Sequence, residues 1–327
     1  MAEYKGIKGF KVQYLSADPS DPIIGQTWYN STSKDLKFTG FQAAGWATGN
    51  NMNTARDALG GDGTQTAGLA FGGYDGTGNS VATEEYDGTN WATSPGNMNT
   101  ARRTLEGVGT QTATIAFGGY ISNNTDASES YDGSTWTNTP SLNTAVRVMG
   151  KAGTQAAALS FGGENPSAPT GQTEEWNGAS WSISPASLNT ARFEVTGTGL
   201  QTAALAVGGE TPPFTGATEE YNGTVWTTSP VSLNTSRARS GSTGPQTAAL
   251  VFGGDTPPAG ANTGATELYN GISWTTLSSM NTARKSPAGA GTVSAGLAFG
   301  GNPGPGTTAE TEEYNAASPV TKTITVS

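Results

Sequence analysis

The stretch Gly68-Leu69-Ala70-Phe71-Gly72-Gly73, followed by Thr83-Glu84-Glu85-Tyr86-Asp87-Gly88 and Trp91, is one copy of a unit that returns along most of the chain. The tryptophans fall at Trp46, Trp91, Trp136, Trp181, Trp226 and Trp274, a step of 45 residues four times and then 48. The double glycine starts at Gly72, Gly118, Gly162, Gly208, Gly253 and Gly300. An aromatic series runs Tyr86, Tyr131, Trp176, Tyr221, Tyr269 and Tyr314. A loop, usually Asn-Thr-Ala-Arg, begins at Asn53, Asn99, Asn143, Asn189, Asn234 and Asn281. Repetition at a period of roughly 40–50 residues is the mark of solenoids and propellers.

Within each unit the apolar pieces are four to eight residues long and are separated by turn residues, which is the pattern of strands. No segment keeps a helical apolar period. Asp87-Gly88, Asp132-Gly133, Asn177-Gly178, Asn222-Gly223 and Asn270-Gly271 read as type I′ hairpin turns, with both central residues at positive φ. Four strands per unit make one propeller blade. The expected fold is all-β, a six-bladed propeller over residues 46–327 with seven blades as the alternative count, preceded by a β extension over residues 1–45. Trp46 precedes the first Asn-Thr-Ala-Arg, and no Trp follows Tyr314. The strand around Trp46 is therefore expected to complete the last blade, with Thr321–Val326 competing for the place.

An apolar run, a double glycine, then Tyr and Trp resembles the kelch repeat, in six copies over residues 46–315. The segment Gly25-Gln26-Thr27-Trp28-Tyr29-Asn30 leading into Leu36-Lys37-Phe38 is similar to a short element of phage virion and tail-associated proteins. These resemblances imply a virion or extracellular location. They also imply attachment to other virion proteins through residues 1–45, where Lys5, Lys8 and Lys11 form a basic arm.

Composition excludes several functions. The 327 residues include no Cys and no His, and the formal charge is −10. Disulfides, thiolate or imidazole metal sites, and Cys- or His-based catalysis are absent. The acidic balance is a poor match for nucleic-acid phosphates. No stretch approaches the roughly 18 apolar residues of a membrane helix, and Met1–Leu15 lacks the apolar core of a secretory signal. Kelch-type copper oxidases need His and Cys. The sialidase aspartate box is approached only by Ser130-Tyr131-Asp132-Gly133-Ser134-Thr135-Trp136, which is one residue short.

Two sets of residues stand out. Arg56, Arg102, Arg147, Arg192, Arg237 and Arg284 repeat, as do Glu84, Glu129, Glu174, Glu219, Glu267 and Glu312. Residues present in every unit are expected to be structural, pairing through guanidinium–carboxylate forks; a ring of six Arg as an anion site is the alternative. The second set lies in the stretches after each double glycine, which vary most and share a face with the inter-blade loops. Tyr74, Asp75, Tyr120, Glu164, Glu210, Phe214 and Asp255 are the ligand-binding candidates there, because variation over a uniform scaffold marks a recognition surface. Asp75, Asp126, Glu164, Glu210 and Asp255 are read as solvated turn acids rather than calcium ligands, and the sequon asparagines Asn30, Asn123 and Asn222 as turn residues.

The functional expectation is a non-enzymatic virion protein that displays a propeller for host-surface or glycan binding, without a cofactor. The alternatives are a decoration protein whose propellers pack into a particle, and a carbohydrate-active hydrolase, for which two carboxylates of raised pKa would have to meet in one pocket.

Overall fold

The structure, a computed structural model, describes residues 12–257 and 260–324. The basic arm Lys5, Lys8 and Lys11 and the end of the C-terminal tail lie outside the described residues. The fold is all-β, and the chain divides into two compact units, Gly45–Asn315 and Met1–Ala44 with Ala316–Ser327.

Gly45–Asn315 is a propeller arrangement of four-stranded antiparallel sheets. Sheet 1 runs Gly60–Thr64, Ala67–Phe71, Thr83–Tyr86 and Trp91–Thr93. Sheets 2 to 5 repeat this order with first strands Glu106–Thr110, Gly150–Thr154, Thr196–Leu200 and Gly241–Thr243. Sheet 6 takes Ala288–Gly291, Ala295–Phe299 and Thr311–Asn315 from the end of the repeat and Gly45–Gly49 from its beginning, with Trp46 opposite Tyr314. The first strands of these sheets touch one another in a closed cycle. That cycle needs close backbones, and the glycines supply them. A Cβ on Gly197 would stand 2.5 Å from the backbone carbonyl oxygen of Lys151 in the neighbouring first strand.

Neighbouring sheets are joined by the repeated side chains. Each Trp indole N–H donates to a Thr or Ser hydroxyl of the sheet before it, as Trp136 does to Thr83 at 2.9 Å and Trp46 does to Thr266 at 2.9 Å. Five of the six indoles also lie against that sheet's Phe, with Phe71 and Trp136 centroids 5.2 Å apart, and Val207 takes the Phe position beside Trp274. The Gln of the Thr-Gln-Thr turn bridges back too, from Gln111 to the carbonyls of Gly68 and Tyr86. Buried aromatic pairs add about 0.5–1.5 kcal/mol each beyond area burial.

The Asx-Gly turns differ from the expected type. Tyr86 pairs with Trp91, so the loop holds four residues, and of its first two only Gly88 has positive φ. Asp87 earns its place through its side chain, whose Oδ1 accepts from the N–H groups of Thr89 and Asn90. This is an Asx turn. Asn222 does the same, and Asn30 is a buried turn residue bonded to Asp18, Thr32 and Ser33.

The smaller unit is a four-stranded sheet ordered Gln13–Leu15, Thr27–Asn30, Asp35–Gln42, Ser318–Thr323, its first pair parallel. The tail is therefore not part of the propeller: Ser318–Thr323 pairs with Asp35–Gln42, which corrects the boundary of 46–327. Trp28 is fully buried and donates to Asp18, which also takes Asn30 and the Lys37 ammonium.

Candidate functional site on the loop face

The repeated Arg and Glu residues are internal. Arg56, Arg102, Arg192, Arg237 and Arg284 are buried, and each lies 2.9–3.3 Å from its own sheet's Glu84, Glu129, Glu219, Glu267 or Glu312. The carboxylate also caps the loop that delivers the Arg, since Glu84 accepts from the N–H groups of Asn53 and Thr54. The carbonyl of each Arg accepts from the second glycine of the preceding sheet, as Arg102 does from Gly73 at 2.9 Å. Burial lowers the guanidinium pKa values against the pull of the paired Glu, to about 10 for Arg102 and Arg237.

Arg147 does not belong to this set. Counting from Asn143, the buried position is Val146, whose carbonyl takes the Gly119 N–H. Arg147 sits one residue later, on the surface, and pairs with Glu164 at 2.9 Å. Glu174, deprived of a guanidinium, accepts instead from the Gln172 amide and the loop N–H groups of Asn143 and Thr144.

The two residues after the buried position build the loop face. Ala58, Thr104, Val148, Glu194, Arg239 and Ser286 all have φ between 49° and 56°. Left-handed backbone at non-glycine residues is costly and clusters at functional sites. Their amides form a collar: Thr104 N–H donates to the Ala58 carbonyl, Val148 to Thr104, Glu194 to Val148, Arg239 to Glu194, and Ser286 to Arg239. These collar residues, with Glu106, Thr196 and Ser240, line a cavity of about 70 Å³. Outside the collar, the preceding residue of each pair bridges to the first residue after the double glycine: Asp57 to Tyr74, Arg103 to Tyr120, Arg147 to Glu164, Phe193 to Glu210, Ala238 to Asp255 and Lys285 to Asn302.

The candidates thus divide. Tyr74, Tyr120, Glu164 and Glu210 form one half-exposed ring with Asn302. Phe214 is half-buried and bridges Glu210. Asp75 spends its Oδ1 on Thr77 and Gly78 within its own turn. Asp255 is not a surface ligand residue. It is fully buried, and the Arg239 guanidinium bridges it to Glu194, 2.5 and 2.7 Å away. Burial, with Asp255 and Glu210 nearby, raises Glu194 to about 7 despite Arg239. Among the described residues, no three carboxylates cluster closely enough to hold a metal ion.

Sequence reading missed Arg103, Glu194 and Arg239. The signal was present: a variable dipeptide follows an almost invariant Asn-Thr-Ala-Arg in every unit.

The opposite face opens into a cavity of about 420 Å³ lined by the first strands. Lys151 enters it from sheet 3, donates to the Gly61 carbonyl at 2.7 Å, and pairs with Glu106 at 3.2 Å. Asp62 is pushed up to about 7 by burial, which Lys151 opposes, and its Oδ2 has no hydrogen-bond partner.

No protein-family model matches the sequence, and comparison with curated proteins gives no match. Among solved structures, the one titled "Structure of YjhT" is similar with a TM-score of 0.69 at 12% identity, over 83% of this chain and 99% of that chain. At that identity the likeness establishes the propeller fold alone.

Proposed function

We propose that the protein is a six-bladed, kelch-like propeller that binds a host-surface glycan through its loop face, as a component of a phage virion or tail. The observation that carries this reading is the distribution of sequence variety. The pairs Asp57-Ala58, Arg103-Thr104, Arg147-Val148, Phe193-Glu194, Ala238-Arg239 and Lys285-Ser286 all differ and all lie on one face, while the other face repeats Gln-containing and Asx-Gly turns in five of the six units. Phe214, half-buried on this face, supplies apolar ring surface of the kind that stacks on sugars, and Tyr120 adds a half-exposed ring edge. Multivalent display on a particle would make weak contacts sufficient. The smaller unit is the attachment element in this reading, and its exposed Tyr14, Ile23, Ile24 and Phe41 are apolar surface suited to partner contact.

The test is binding of the full chain to a panel of immobilised bacterial-surface glycans. Tyr120→Ala and Phe214→Ala are expected to reduce binding at least fivefold, and Thr89→Ala on the opposite face to leave it unchanged. Absence of binding to every glycan overturns the reading.

One observation favours a second reading, a carbohydrate-active hydrolase. Glu106 and Glu194 line the same cavity, and burial raises both. Two carboxyl groups at one pocket, one of which keeps its proton to near neutrality, are the machinery of glycoside hydrolysis. Release of nitrophenol from aryl glycosides, abolished by Glu194→Gln, would establish it over the first.

A further inference from the structure

The outer ring of the loop face contains a stack that is not repeated elsewhere among the described residues of the propeller. The Arg103 guanidinium carbon lies over two rings, 5.1 Å from the centroid of Tyr74 and 5.1 Å from that of Tyr120. Arg147 also lies over the Tyr120 ring, 5.1 Å from its centroid, and continues the stack. Aromatic faces satisfy the flat faces of a guanidinium and leave its N–H edge to make hydrogen bonds in the ring plane. In Arg147 that edge is engaged, with Nε and Nη2 both donating to Glu164. In Arg103 it is open. Its guanidinium is hydrogen-bonded to no residue among those described. Asp57 stands close enough to feel its charge but takes its hydrogen bond from Asn302 instead.

A clamped guanidinium with a vacant fork is preorganised for an oxyanion, since little rotamer freedom remains to be lost on binding. The half-exposed Tyr74 ring and the half-exposed edge of Tyr120 flank the fork and offer contact to a ring-shaped ligand body. Resting on the reading that the loop face binds glycan, we propose that the Tyr74–Arg103–Tyr120 stack is the glycan subsite and that its ligand is an acidic polysaccharide, with a carboxylate or sulfate oxygen pair in the Arg103 fork. The net charge of −10 makes this local site, not general attraction, the source of any anion affinity.

The experiment titrates the full chain by calorimetry with polygalacturonate, dextran sulfate and uncharged dextran, each at low and high salt. At least one acidic polymer is expected to bind, more weakly at high salt, and uncharged dextran to bind at least tenfold more weakly. Arg103→Gln is expected to lower that affinity at least tenfold and Arg103→Lys to recover only part, because an ammonium lacks the fork. Lys34→Gln removes the same charge from the smaller unit and is expected to change nothing. Binding of polygalacturonate alone supports a carboxylate ligand, and binding of dextran sulfate alone a sulfate ligand. Equal affinity of the Arg103→Gln protein, or equal binding of uncharged dextran, overturns the inference. If the glycan panel shows binding but neither acidic polymer is taken, this inference fails and glycan binding stands. If the panel shows none, both fail.

Discussion

The hydroxyl of Tyr131 donates to Oε1 of Glu85 at 2.5 Å, across the boundary between the second sheet and the first. The same bond joins Tyr86 to Glu313, Tyr221 to Glu175 and Tyr269 to Glu220. The two remaining boundaries lack it, and in each the carboxylate position has changed. Ser130 replaces the Glu where Trp176 replaces the Tyr, and the Trp176 indole donates to the Gln155 carbonyl instead. Leu268 replaces the Glu before Tyr314. Pairing across sheets, not the identity of any one repeat, therefore governs these residues.

Removing one partner of such a bond leaves the other unsatisfied, and hydrogen bonds to charged groups contribute about 1.5–3 kcal/mol. Tyr131→Phe is expected to destabilise by that amount, measured by urea unfolding. The double variant Tyr131→Phe, Glu85→Leu reproduces the Leu268 arrangement in part. It is expected to be more stable than the sum of its single variants predicts, with a coupling of about 0.5–3 kcal/mol. Strict additivity would show that the bond carries no net energy. Burial, with help from the same bond, raises the Tyr131 pKa to about 12, so its phenol stays protonated throughout such measurements.

Arg102 and Arg147 are one repeat apart in sequence appearance and unlike in energy. Arg102 is fully buried against Glu129, and truncating one member of a buried pair costs about 3–5 kcal/mol. Arg147 and Glu164 are each about a third exposed, and such pairs contribute about 0.2–1 kcal/mol. Arg102→Ala is expected to lower the thermal midpoint by well over 5 °C, and Arg147→Ala to move it by a degree or two, on the scale of about 2–4 °C per kcal/mol for large domains. Comparable losses in the two variants would contradict the assignment of Val146 to the buried position.

That assignment also explains what was legible in the sequence. The Trp, Gly-Gly, Tyr and Asn series locate every sheet, and the unpaired first Trp and last Tyr identify the closing pair Trp46 and Tyr314. These are properties of spacing, and spacing survives translation into structure. Arg147 was misread because an Arg stands one place late in Asn143-Thr144-Ala145-Val146-Arg147, and residue type outweighed count. Its true environment was written elsewhere, in Gln172, which stands where Ala82 and Ala217 stand in other units. Asp255 could not be read at all. Its burial follows from Arg239, sixteen residues earlier, reaching it from the collar beside Glu194. Contacts of that kind depend on individual departures from the repeat, and no spacing announces them.

Sheet 3 allows the repeat to be restored by substitution. Val146→Arg alone would place a guanidinium where the Gln172 amide already occupies Glu174 Oε1. It is expected to destabilise by about 1–3 kcal/mol through overpacking. With Gln172→Ala added, the arginine meets Glu174 and the Gly162 and residue-172 carbonyls, as Arg56 meets Glu84, Gly72 and Ala82. The double variant is expected to regain most of the loss in urea unfolding. A double variant no better than Val146→Arg would mean that Gln172 is not the substitute for the missing guanidinium.

Asp62 gives the chain a pH dependence whose sign is opposite to that of an ordinary salt-bridged acid. Its carboxyl is raised from 3.8 to about 7 by burial, while in the unfolded chain it titrates near the ordinary value. Between those values the folded state holds a proton that the unfolded state has lost. Stability therefore falls as pH rises from about 4 to about 7 and levels off above. Glu194, raised to about 7, adds a parallel decline. Asp62→Asn removes the ionisation without changing size, and is expected to make the protein more stable at pH 8 than the unsubstituted chain and to flatten its part of the slope. Lys151→Met is expected to deepen the slope, because the ammonium now opposes the shift in both Asp62 and Glu106. Thermal midpoints of the three proteins across pH 4 to 8 decide the matter. A slope unchanged in Asp62→Asn would mean that the carboxylate is solvated from the 420 Å³ cavity and titrates normally.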